Sequence, residues 1–331
     1  MKLNLIDVID SPLSYMRQAI WVSVERESFL LTDIFKVAEI TFKRKTNVDI
    51  LSEAASKDEA YKMKKVYEDR FASDLYEEIS LTGKSGFKYL SVNDYNKLNG
   101  LSAGSDTYFD LINVFGIHKY ELPVKTNKGL IMQFQEKQIN VLNPADEALS
   151  ILYSLPFKAK EVTAIHSFHN HNLLVYGTND GKIYLQSLSD QNIRPIKVDD
   201  CKTTCQDIYL DANDEYGYIC GMGYLKIYKF INYELKLVSE FKTSARSVNV
   251  FNNLIILNKG MHGIELLKFY GDKIEKLDSL DIGFTVDLMR FNKANKTILI
   301  SSKPIGKLAL LKVSEPEKRT LSLSKLFKFG N

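Results

Sequence analysis

Cysteine is nearly absent from this chain: 331 residues hold only Cys201, Cys205 and Cys220. So low and odd a number builds no disulfide framework, and it fits a reducing compartment better than secretion. Glycine and proline are sparse as well, at 17 and 7 positions, which excludes a collagen-like fibre and a low-complexity chain. No apolar run approaches the roughly 18 residues that a membrane-spanning helix requires. Asp7 and Asp10 interrupt the N-terminus before a signal-peptide core can form, and no small-residue cleavage site follows. Neither charge dominates: 44 Lys and Arg stand against 41 Asp and Glu, a net charge of +3. A dedicated nucleic-acid binder usually carries a clustered basic excess, so the charge balance gives that class little support. These absences lead to the expectation of an intracellular chain with no membrane span.

What is present is ordinary globular material, 45% apolar and 26% charged, enough for a sizeable core in one to three domains. The second half is patterned. Short β-type runs recur between turn signals, best marked at Val162–Phe168, Leu173–Gly177 and Lys182–Leu188, with Asn179, Asp180 and Gly181 between the last two. Asp-Gly between apolar runs is a strong hairpin signal, because glycine tolerates the positive φ of a tight turn. The same unit follows three more times. Its first strands are Ile208–Leu210, Val248–Val250 and Val286–Met289, and its second strands are Tyr216–Cys220, Leu254–Leu257 and Thr297–Ile300. Third strands follow Gly223, Gly263 and Gly306, and fourth strands fall at Leu235–Val238, Ile274–Leu277 and Leu321–Leu323.

Gly181, Gly223, Gly263 and Gly306 are spaced by 42, 40 and 43 residues. Four short strands at this period are the pattern of a β-propeller blade, a sheet that must stack on neighbours to bury both faces. A weaker copy begins near Phe109, with strands at Leu111–Phe115, Leu130–Phe134, Gln138–Leu142 and Leu149–Tyr153. Ala19–Val24, Ser28–Leu31 and Val37–Phe42 read as a first blade, and Phe87–Val92 as part of another. The clearest repeats span 107–331. Seven blades of about 47 residues, with an insertion, agree best with the period, and six is the alternative. The expectation is an all-β chain in which 1–331 forms a single propeller domain. Leu3–Val8 is a candidate to complete the last blade, with Leu321–Phe329 as its rival.

The insertion is expected to be helical over 52–79. Ser56 and Glu59 make a capping box, and Ala60, Met63, Tyr67, Phe71 and Leu75 draw one apolar stripe. Lys62, Lys65 and Asp69 fall largely on the other side and are the candidate partner-binding residues.

The stretch Leu173–Leu185, with its central Asn179, Asp180 and Gly181, resembles the strand–turn–strand centre of a WD-repeat blade. Met261–Leu267 is similar to the strand-opening glycine of LVIVD-type propeller repeats. No Gly-His opens a blade, no Trp-Asp closes one, and the only tryptophan, Trp21, lies outside the clear repeats. The resemblance implies a propeller, a fold that commonly serves as an interaction platform.

Little points to chemistry. His166, His169 and His171 have a spacing that can suggest a metal site, but the matching places in other repeats are turn residues such as Asn252 and Asn253. Cys201 and Cys205 lack the two-residue gap of zinc ribbons and redox motifs, and Cys220 lies on an apolar strand. No phosphate loop, nucleophile elbow or zincin helix occurs. Asp207 and Asp287 recur just ahead of apolar strand centres, which suits hydrogen bonding between blades better than catalysis. No catalytic residue, metal or cofactor is assigned. The expected function is a non-catalytic protein-interaction scaffold, a subunit of a larger assembly. Two alternatives stand beside it. One is an enzyme using His118, His166 and strand-end acids in a central channel. The other is a nucleic-acid-associated propeller using Lys43, Arg44 and the lysine-bearing insertion.

Overall fold

The computed structural model describes residues 1–11, 20–23, 28–32, 36–42, 46–53, 90–91, 124–125, 131–134 and 137–314, the last apart from 144–149, 158–160, 169, 191, 212, 293–294 and 303. Strand β1 (Lys2–Asp10) opens the chain. The first sheet is the meander β2 (Ile20–Ser23), β3 (Ser28–Thr32), β4 (Lys36–Phe42) and β5 (Thr46–Glu53). The second holds β6 (Leu90–Ser91), β7 (Val124–Lys125), β8 (Ile131–Phe134), β9 (Gln138–Leu142) and β10 (Ile151–Pro156). The third runs β11 (Val162–Ser167), β12 (Leu173–Thr178), β13 (Lys182–Ser187) and β14 (Ile196–Asp200). The fourth runs β15 (Cys205–Leu210), β16 (Tyr216–Gly221), β17 (Tyr224–Ile231) and β18 (Glu234–Phe241), and the fifth β19 (Ser247–Phe251), β20 (Leu254–Asn258), β21 (Ile264–Phe269) and β22 (Ile274–Leu280). The sixth joins β23 (Leu288–Asn292), β24 (Thr297–Ser302) and β25 (Lys307–Ser314) to β1.

The described residues therefore form six sheets, the lower of the two expected numbers. One reason is local. Of the strand expected to belong to a separate blade, Phe87–Val92, the described residues are Leu90–Ser91, and this pair adds to the second sheet parallel to β7. The expected helical insertion over 52–79 also needs correction at its start, where Ser52 and Glu53 are the end of strand β5. Its remainder, with Lys62, Lys65 and Asp69, lies outside the described residues.

The last blade closes with β1. Lys2 pairs with Ser314 and Asp10 with Lys307 across the antiparallel pair β1–β25. The N-terminal strand thus occupies the fourth position that Leu321–Leu323 competed for, and those residues lie outside the described ones. Leu3 is buried in the same core as Ile298, Ile300 and Leu311, and its backbone N–H donates to Asp278 Oδ2 of β22 at 2.7 Å.

Sequence pattern and burial agree strand by strand. Residues of β12, β20 and β24 are all buried, because a second strand lies inside its sheet and between two neighbouring sheets. That double burial explains why these strands read as unbroken apolar runs rather than alternations. Fourth strands sit at the sheet edge and are mostly exposed. Neighbouring sheets share their cores in turn. Leu173, Ile183 and Leu185 of the third meet Ile208, Ile219 and Tyr228 of the fourth, while Leu225 and Ile227 meet Val248, Ile255 and Leu267 of the fifth. Phe29, Ala38 and Ile40 of the first sheet pack on Leu299, Leu308 and Leu310 of the sixth.

Candidate functional site

Inner strands are tied together by hydrogen bonds between sheets. Thr163 Oγ1 donates to the Cys205 carbonyl at 2.6 Å, and Asp207 Oδ2 accepts from the Val248 N–H at 2.9 Å. Asp287 meets Arg246 at 3.7 Å. Asp207 and Asp287 thus do the inter-blade work their positions suggest, and Asp207 is buried while doing it.

Of the three clustered histidines, His166 and His171 are described, and they stand in different surroundings. His166 is buried on β11, its Nδ1 2.8 Å from the Ser167 carbonyl oxygen, with Tyr209 of the next sheet beside it. His171 stands in the β11–β12 loop against Phe168, Phe230 and Tyr233. His169, His118, Lys43 and Arg44 lie outside the described residues. Among the described residues no group of three His, Cys, Asp or Glu side chains has metal-binding geometry. All three cysteines are free thiols. Burial raises the pKa of each of them, Cys220 most plainly, so they pack as small neutral side chains rather than as thiolate nucleophiles.

In an antiparallel four-strand meander the turns between strands two and three lie at one end, and those between one and two or three and four at the other. Each end carries exposed apolar groups. At the first end, the hairpin tips of three successive sheets present Met222, Met261 and Ile305, with 56%, 67% and 54% of their surface exposed. Each precedes a repeat glycine, Gly223, Gly263 or Gly306, all at positive φ. At Gly263 the requirement is absolute, because φ is +74° and a Cβ would lie 2.0 Å from the Leu280 carbonyl oxygen. The matching tip of the third sheet is charged instead. There Asp180 pairs with Lys182 at 2.5 Å, and hydrogen bonds from Lys182 and Thr178 bring its carboxyl down to about 2.

These tips are anchored from outside their own hairpins. The Met222 carbonyl accepts from Thr203 Oγ1 at 2.9 Å, and the Gly223 N–H donates to Ser244 Oγ at 2.9 Å. Beside Met261, Lys259 reaches Glu265 at 3.1 Å and hydrogen-bonds Thr243, while Lys276 holds the other Glu265 oxygen at 2.8 Å. Burial pushes the Glu265 carboxyl up, and hydrogen bonds from Lys276, Lys259 and Thr243 more than reverse this, leaving it below its ordinary value. The Ile305 turn is held where the Ser11 N–H donates to the Gly306 carbonyl at 2.7 Å, next to the Asp10–Lys307 pair.

At the opposite end, a cleft of about 620 Å³ opens between the third and fourth sheets. Leu173 and Leu185 form its buried floor, and Ile193, Ile196, His171 and Tyr233 stand around it. Two features of these surfaces escape a search for motifs. Large apolar residues one or two places before a repeat glycine are a visible signal for the tip row. Tyr233, in a two-residue hairpin where glycine is expected, is the signal for the cleft.

No protein family and no curated protein matches the chain by sequence. By shape, 1090 solved chains match, so the architecture is common and singles out no partner. One is in the crystal structure of a mitotic checkpoint complex, at TM-score 0.56 and 11% identity, covering 94% of this chain and 96% of that one. Another is the Myceliophteria thermophila Cps50 (Swd1) β-propeller domain, at TM-score 0.57 and 10% identity, covering 94% of this chain and all of that one. No helix among the described residues is long and apolar enough to cross a membrane. At such low identity the likeness concerns architecture alone, and the architecture is the β-propeller that the repeat period and the WD-repeat resemblance imply.

Proposed function

We propose that this propeller is a non-catalytic protein-interaction platform and works as a subunit of a multiprotein assembly. The observation that carries the proposal is the tip row. Single exposed apolar side chains are common on any surface and need no explanation. Here Met222, Met261 and Ile305 occupy equivalent tips of three successive sheets, and each hairpin is fixed by bonds from its surroundings. A prepositioned row of unbranched and branched aliphatic groups suits a protein surface, and methionine adapts to irregular ones. The neighbours quoted above are consistent with this reading in fold only.

Affinity purification with mass spectrometry tests it, comparing the intact chain with a Met222→Asp, Met261→Asp, Ile305→Asp triple variant. Partners recovered with the intact chain should fall at least ten-fold with the variant. An unchanged partner set would overturn the tip row as the docking face. The expected contribution of Lys62, Lys65 and Asp69 belongs to the same proposal, and a chain lacking 56–76 tests it in the same experiment.

A further inference from the structure

Tyr233 stands where a tyrosine is least expected. The hairpin between β17 and β18 has a two-residue loop, Asn232 and Tyr233, with φ of +51° and +63°. Turns of this kind favour Asn followed by Gly, because both positions require positive φ. A bulky residue at positive φ is strained, and strain of this sort concentrates at functional sites. The ring is also 66% exposed, so burial does not explain it. Its neighbours are aromatic, with His171 at 5.6 Å and Phe230 at 6.1 Å between ring centroids. His171 and Tyr233 of this group form one wall of the cleft, and the other is Ile193 and Ile196, the latter 57% exposed.

We propose that this cleft is a second docking site, which takes an uncharged apolar side chain from an extended protein segment laid along β14. Three observations select that occupant. None of the described residues that line the cleft is an acid, a lysine or an arginine, and the charges next to them in sequence, Asp190, Arg194, Lys197 and Glu234, balance. A phosphorylated or strongly charged ligand therefore meets no net counter-charge there. The volume exceeds one side chain and falls in the range of real binding pockets. Finally, β14 begins at Ile196 in the cleft wall and is the terminal strand of its sheet. Its outer edge offers backbone donors and acceptors to an added strand, while alternate side chains of that strand can reach the cleft.

The site lies at the end of the ring opposite the tip row, and it shares with the reading above only the assumption that partners are proteins. The test is selection of a displayed library of random nine-residue peptides on the intact chain, followed by fluorescence anisotropy of enriched peptides. Enriched sequences should be near neutral with Leu, Phe or Trp at one fixed position. Their affinity should fall at least ten-fold in Tyr233→Gly and Ile196→Asp and change less than two-fold in Met261→Asp. Tyr233→Gly relaxes the turn, so its melting temperature should equal or exceed that of the parent, which separates lost binding from lost folding. No enrichment, charged consensus sequences, or binding insensitive to both cleft variants would overturn the second site. Peptides lost only in Met261→Asp would instead place docking on the tip row and leave the cleft without a role.

Discussion

Glu265 shows how one residue connects the core to a surface. It is buried on β21, yet it keeps a charge because Lys259, Lys276 and Thr243 surround its carboxylate. A buried carboxylate without such partners would be costly, whereas a paired one fixes the groups that pair with it. Here that group is Lys259, next to the turn bearing Met261. Glu265→Gln should lower stability at pH 7 by about 1–3 kcal/mol, the range for leaving buried polar partners unsatisfied. The pH dependence has a defined sign. The folded carboxyl lies below its ordinary value of 4.5, so its contribution is complete above that value and fades as pH falls through the folded pKa. Denaturation curves of parent and variant should converge in acid, and a gap independent of pH would show that the charge plays no part. The acid-versus-base logic of this cluster was not legible in the sequence. Lys259 and Glu265 are six apart, but Thr243 and Lys276 reach them only through loop and strand placement in the fold.

At the scale of elements, the repeat was legible and its irregularity was not. The glycine period marks the turn between strands two and three in four sheets, and the apolar runs mark the second strands. The pairing of the last two strands hides a bulge in each of the six sheets. The register skips Ile6, Leu51, Leu152, Val198, Val238 and Leu277. A bulge adds one residue and increases twist, and it also turns a side chain to the face opposite the one that alternation predicts. Val198, Val238 and Leu277 use this to pack against the cores between sheets, although they lie on exposed edge strands. Val238→Asp should therefore destabilise by about 1–3 kcal/mol through an unpaired, half-buried carboxylate. The same change at the neighbouring Leu237, which is largely exposed, should stay within roughly 0.5 kcal/mol. Chemical denaturation of the two variants decides it, and equal losses would remove the bulge from the account. Blade closure was legible only as an ambiguity, since Leu3–Val8 and Leu321–Phe329 both alternate like edge strands. Packing of Leu3 under the sixth sheet resolves the choice in favour of β1.

At the scale of the whole molecule, the two ends of the ring carry different surfaces, three apolar hairpin tips on one and an aromatic-walled cleft on the other. Both depend on a scaffold stiff enough to hold side chains on separate sheets in fixed relation. Pairing of β1 with β25 contributes to that stiffness, because the strand that completes the sixth sheet comes from the chain that leads into the first, and these two sheets share a core. The strand was visible in sequence, while its partner required long-range contact, with Lys2 and Ser314 lying at opposite ends of the described chain. The most direct test is native-state hydrogen exchange of the intact chain. Amides of β1 that bond β25 should be protected as strongly as those of β24 and should exchange with the same global opening. Amides of β1 exchanging at the rate of exposed loops, with β24 still protected, would contradict a closed ring.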